Sequence, residues 1–173
     1  MKRLLSFSFA IAAMMLFQPS VFAEKINVTS PAFENGKRIP VEYTCDGANA
    51  SPELKWSFTG KVKSFAVTCT DPDAPGGTFV HWLIYNIPAD ARVLPRGMSS
   101  APRQPEGIQG YADFGSVGYG GPCPPPGKPH RYYFTVYALD IHIGEGGLRL
   151  QSLQQKMKGH VLAQGNVMGS YGR

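Results

Sequence analysis

Asp71-Pro72-Asp73-Ala74-Pro75 closes an apolar run, Ser64-Phe65-Ala66-Val67-Thr68-Cys69, and His81 follows ten residues after the first carboxylate. Two acids and an imidazole are thereby gathered at one end of a strand. Each proline holds its own φ at about −65° and keeps the residue before it extended, so the segment cannot coil. Side chains i and i+2 of an extended chain share a face, which starts Asp71 and Asp73 side by side. A second cluster runs from Gly120-Gly121-Pro122-Cys123-Pro124-Pro125 to His130-Arg131-Tyr132. Glycine lets a ligand approach the backbone closely and turns amides toward an anion, while prolines keep the loop in one shape. His130 and Tyr132, two apart, share a face, so an imidazole lies beside a phenol. With His81 they form a donor set suited to phosphate or carboxylate.

Other chemistries fit parts of this set. Asp71, Asp73, His81 and His130 are common donors for zinc and related ions, but no H-x-x-x-H or H-E-x-x-H spacing accompanies them. Asp71 orienting His81 as a general base would suit phosphoester hydrolysis. A nucleophile is missing: no Gly-x-Ser-x-Gly elbow occurs, and Cys123 is better placed as a disulfide partner than as a thiolate. A third reading makes Asp71 and His81 a buried structural pair that holds the loop onto the sheet. Against it stands the convergence of two histidines, a tyrosine and a glycine-rich lip from distant parts of the chain, which favours a binding pocket. His142 and His160 read as surface or packing residues.

The elements that must position these residues are mostly strands. Ile26 to Thr29, Arg38 to Tyr43, Leu54 to Phe58, Ser64 to Thr70, Phe79 to Ile87 and Arg131 to Leu139 are rich in β-branched and aromatic residues and bounded by turn formers. The runs Trp82 to Tyr85 and Tyr132 to Leu139 are nearly continuously apolar, as expected of strands covered on both faces. Leu150, Leu153, Met157 and Val161 recur at helical spacing and predict one amphipathic C-terminal helix packed on the sheet. The Gly- and Pro-rich stretch from Pro88 to Pro129 is long for a compact domain and reads as functional, with Tyr111, Phe114 and Tyr119 as its anchors.

Lys2-Arg3, an uncharged apolar run from Leu4 to Phe17 and the small-residue exit Val21-Phe22-Ala23 read as a secretory signal peptide over residues 1–23. The run is too short for a comfortable membrane span. One domain, residues 24–173, follows, with no other long apolar run and no internal repeat. The formal charge is +5, and without Lys2 and Arg3 it falls to +3 on scattered residues, which excludes a nucleic-acid footprint. Of three cysteines, Cys45 and Cys123 lie in loops and Cys69 in a strand pattern. An oxidising compartment favours a Cys45–Cys123 bridge with Cys69 left buried and free.

Tyr43-Thr44-Cys45-Asp46-Gly47, Ser51-Pro52-Glu53-Leu54, Asp71-Pro72-Asp73-Ala74-Pro75, His81-Trp82, Asn86-Ile87-Pro88, Gly120-Gly121-Pro122-Cys123-Pro124-Pro125 and His130-Arg131-Tyr132, taken together and in this order, resemble the phosphatidylethanolamine-binding protein family. More narrowly they are similar to its bacterial Raf kinase inhibitor-like branch. The resemblance spans Ile26 to Arg173. It implies an all-β fold with minor helix, in which a large antiparallel sheet packs with a second, smaller one, and a small anion pocket lies at one end. Carried over, the pocket residues are Asp71, Pro75, His81, Gly121, His130 and Tyr132. The sequence ends at Tyr171-Gly172-Arg173 without the longer helix that borders the site in mammalian members, so a more open pocket is expected.

What the resemblance implies is a non-enzymatic binding protein, without cofactor, for a phosphate-bearing small molecule or phospholipid headgroup. Asp71 then orients a histidine or meets an ammonium group beside the phosphate. The other reading is a protein-interaction module in which the loops from Pro88 to Gly110 inhibit a kinase, protease or host factor.

Overall fold

The computed structural model describes residues 25–173, so the expected signal peptide lies outside the described residues. The strands are β1 (Asn27–Thr29), β2 (Leu54–Ser57), β3 (Ser64–Asp71), β4 (Phe79–Pro88), β5 (Val93–Leu94), β6 (Arg103–Gln104), β7 (Gly107–Gln109), β8 (His130–Leu139) and β9 (Val161–Tyr171), with a helix α1 (Leu150–Met157) between the last two. They form two antiparallel sheets, one of order β1-β2-β5 and one of order β6-β7-β4-β3-β8-β9. The expected fold class holds.

Strands β3, β4 and β8 are central because both of their faces are covered. Phe65, Val67, Cys69, Trp82, Ile84, Phe134 and Val136 pack under Val28, Leu54 and Trp56 of the small sheet. On the other face Ala66, Leu83, Tyr85 and Leu139 meet Ile143, Leu148, Leu153 and Met157 from the helix and the segment before it. Burying each such large side chain contributes about 1.5–3 kcal/mol, which accounts for the unbroken apolar runs in the sequence.

Two expected elements differ. Arg38 to Tyr43 is not a strand: Ile39 N–H and Ser170 O make a short bridge, and Pro40 then introduces a 3-10 turn over Val41–Tyr43. Proline has no N–H with which to extend a ladder. Val161 does not belong to the helix, which stops at Met157, with Gly159 at φ +82° turning the chain. Val161 instead opens the eleven-residue β9, which pairs with the whole of β8.

The stretch from Pro88 to Pro129 is held by more than loop conformation. It contributes β5, β6 and β7, and the buried Gln109 accepts from Trp82 Nε1 at 2.7 Å while donating to Ser99 O at 2.6 Å. Tyr119 is an anchor, its hydroxyl donating to Tyr43 O at 2.7 Å. Phe114, half exposed, packs edge-on against Phe79 and His81, and Tyr111 is held by its N–H to Leu148 O at 2.9 Å. The Cys45–Cys123 disulfide is formed and Cys69 is free and buried. No described helix is long and apolar enough to cross a membrane.

Candidate functional site

The end of β3 and the starts of β4 and β8 meet at one end of the large sheet, and a bulge there decides where His81 points. Cys69 pairs with Trp82 and Thr70 with Val80, which leaves His81 as the extra residue on β4. Such a residue is re-aimed out of strict alternation. His81 accordingly reaches the face that also carries Asp71, Phe79, His130 and Tyr132. Its ring stands edge-on to Tyr132 and Phe114, with centroids 5.1 and 5.3 Å apart, and tilted against Phe79 at 5.1 Å.

These side chains line a cavity of about 200 Å³, closed by Ala74 and Pro75 from the acidic turn, Phe114, and Cys123, Pro124 and Pro125 from the proline-rich lip. Asp71 is 3% exposed. Its Oδ2 accepts from His130 Nδ1 at 2.7 Å and its Oδ1 from Asp73 N–H at 2.8 Å. His81 Nδ1 donates to Gly120 O at 2.7 Å. Burial pushes the His81 imidazole below its ordinary range, opposed by the Gly120 carbonyl and the Asp71 charge. Neither ring's Nε2 has a protein partner. The Tyr132 hydroxyl is buried without a partner, and burial together with the Asp71 charge pushes its pKa well above the phenol range.

The sequence model for phosphatidylethanolamine-binding proteins matches residues 29–172. The chain belongs to the phosphatidylethanolamine-binding protein family. Relatives known as UPF0098 proteins are 46% identical in Methanothermobacter thermautotrophicus, over 86% of this chain and 99% of that one, and 46% identical in Aquifex aeolicus, over 86% and 89%. Among solved structures, a family homologue from Chlamydia trachomatis superposes with a TM-score of 0.78 at 35% identity, covering 86% of this chain and 98% of that one. Escherichia coli YbcL, described as a new member of the mammalian family, gives 0.77 at 33%, covering 87% and 99%. The family is one of binding proteins, and its bacterial type is the one matched here.

Within this family member the structure brings Asp71, Pro75, His81, His130 and Tyr132 to one cavity and leaves two residues elsewhere. Asp73 turns outward to a bidentate pair with Arg131, at 2.8 and 2.7 Å, which holds its carboxyl at about 2. The adjacent acids therefore separate: one orients a histidine, the other ties the turn to β8. Gly121 lines a neighbouring cleft, and its N–H donates to Asn49 Oδ1 at 2.7 Å. A Cβ there would run into Tyr43 O and Asn49 Oδ1. The glycine thus serves close packing of the lip on the Tyr43-Thr44 backbone, and its amide is already engaged.

Several lining residues were not among the candidates. Phe79 and Phe114, 4.9 Å apart edge to face, form an apolar wall, and Pro124 and Pro125 face them. Phe79 stands two residues before His81 on β4, so strand alternation alone puts the two on one face. Asn49, at φ 54°, carries no sequence signal beyond its place in a turn. Cys123 lines the cavity, so the disulfide reaches its rim. Among the described residues no cluster of three metal-ligating side chains occurs.

Proposed function

We propose that this chain is an exported, non-enzymatic binding protein whose cavity takes the phosphate-bearing group of a small molecule or phospholipid headgroup. The observation that carries this reading is the set of open polar atoms on one cavity: two imidazoles whose Nδ1 atoms are committed, so that both Nε2 atoms remain, beside an unpartnered Tyr132 hydroxyl. Buried polar groups without partners are uncommon in proteins, and a ligand oxygen satisfies them. The apolar wall of Phe79, Phe114, Pro124 and Pro125 suits the organic part of such a ligand. In this reading Asp71 orients His130 and meets an ammonium group where the headgroup has one.

Export of residues 24–173 after removal of a leader accords with the formed disulfide, which belongs to oxidising compartments. In this reading the ligand is held without turnover, and Cys123, bound in the disulfide, supplies no thiolate to attack it.

Calorimetric or NMR titration of the purified protein with phosphate and phosphoethanolamine tests the proposal. Binding is expected without release of product. His81→Ala or His130→Ala is expected to weaken it by about 1.5–3 kcal/mol, the range for hydrogen bonds to a charged group. Saturating phosphate or phosphoethanolamine that moves no resonance of the cavity residues would remove the pocket reading. Metal-dependent hydrolysis abolished by Asp71→Asn would replace it with an enzymatic one.

A further inference from the structure

The charge and proton inventory of the cavity restricts what it can hold. No Lys or Arg lines it, and the one carboxylate that does is Asp71. Arg131 and Arg173, on the segments around it, are each paired with a carboxylate, Asp73 at 2.7 Å and Asp46 at 3.5 Å. Both histidines point Nδ1 at an atom that only accepts, the Gly120 carbonyl and the Asp71 carboxylate. Nδ1 therefore carries the hydrogen in each ring, and in the neutral imidazole Nε2 is left as a lone pair. With its ring neutral, His81 offers the incoming group a lone pair beside the Asp71 carboxylate, and the Tyr132 hydroxyl is a side-chain donor without a protein partner. A phosphate dianion fits this badly.

We propose that an oxyanion enters this cavity together with one proton, shared between a ligand oxygen and Nε2 of His81, so that the pocket selects monoanionic phosphate groups. The inference rests on the phosphate-binding reading above. The proton is either brought by the ligand, whose P–OH then donates to Nε2, or taken from solvent by the ring, whose Nε2–H then donates to the oxyanion. Atoms and charge balance in the same way in both. His81 is the site because its Nδ1 meets an uncharged carbonyl and its ring lies against Phe79, Phe114 and Tyr132, so a proton on Nε2 finds its counter-charge in the bound anion.

The other titratable groups around His81 are Asp71 on β3, His130 and Tyr132 on β8 and Asp113 in the loop that carries Phe114. Asp71 and Asp113 favour the imidazolium. Burial opposes it more strongly, so the ring of the empty site is neutral near pH 7. A bound anion reverses that balance. Its negative charge raises the ring's pKa, and between the empty-state and bound-state values binding takes up a proton.

Calorimetry of the wild-type chain at pH 7.5, in buffers of different ionisation enthalpy, counts the protons directly. Inorganic phosphate and glycerophosphoethanolamine are the two probes, since the monoester-like ion can bring a proton and the diester cannot. Uptake approaching one proton per ligand is expected, with affinity falling about tenfold from pH 7.5 to 8.5, the slope that linkage requires for one proton. His81→Gln is expected to lose most of both effects. Binding of either probe with no uptake and a flat pH profile would overturn the inference while leaving the pocket reading in place. Unchanged uptake in a folded His81→Gln would also overturn it. Absence of binding by both probes at every pH would instead bring down the pocket reading on which it rests.

Discussion

Asp71→Ala is expected to destabilise the fold by about 3–5 kcal/mol and to abolish ligand binding, the largest loss anticipated for a single substitution at the site. The carboxylate is buried and accepts two hydrogen bonds, from His130 Nδ1 and from Asp73 N–H, so it joins the acidic turn to β8. Removing the carboxylate leaves two donors, the His130 Nδ1–H and the Asp73 N–H, without their acceptor, at about 1–3 kcal/mol for each, which is where the figure comes from. The hole left by the side chain also frees His130 to rotate. Asp71→Asn keeps the volume and one acceptor oxygen, and its loss should stay near the 1–3 kcal/mol of an imperfectly satisfied buried group. Urea denaturation of the three proteins checks the order. An Asp71→Ala midpoint close to that of wild type would show that the Arg131–Asp73 pair alone holds the turn.

The sequence made the central strands legible because each is buried on both faces, and such strands read as continuous apolar runs. It concealed β9 for a physical reason. The inward positions of that strand include Gly165 and Gly169, where a Cβ would run into Ile26 O and the Ile39 side chain. The segments around Ile26 and Ile39 cross so close to β9 that glycine replaces the apolar residues from which an alternating pattern is read. Leu150, Leu153 and Met157 set a helical period, and Val161 happens to continue it one turn past the actual end. Arg38 to Tyr43 misled in the opposite sense, since its composition is strand-like and only Pro40 signals the break.

The site was legible as a set of residues and not as a geometry. Motif spacing brought forward Asp71, His81, His130 and Tyr132, yet the direction of His81 depends on a bulge, and a bulge is a register between two strands rather than a property of either. Gly121 shows the same limit. A glycine in a Pro-rich lip suggests an amide offered to an anion, but the partner that occupies the amide, Asn49, lies 72 residues away. The separation of Asp71 from Asp73 likewise required Arg131, which the i, i+2 rule does not include.

Replacing both Cys45 and Cys123 by serine is expected to lower stability by about 2–4 kcal/mol while weakening ligand binding less than tenfold. The bridge spans 78 residues of sequence, and closing a loop of that size restricts the unfolded chain by about 4.5 kcal/mol at most, of which disulfides typically deliver about 2–4. The lip would keep its other ties: Cys45 N–H to Pro122 O at 3.1 Å, Gly121 N–H to Asn49 and the Tyr119 hydroxyl to Tyr43 O. Those bonds hold Pro124 and Pro125 against the cavity in the folded state, so the bridge acts mainly on the state in which they are broken. Reductant should reproduce the effect in the wild-type chain, because the remaining cysteine, Cys69, is buried and already reduced. Denaturation with and without reductant, alongside phosphate titration of the double variant, separates the two effects. A large loss of affinity with an unchanged midpoint would mean that the disulfide shapes the pocket directly.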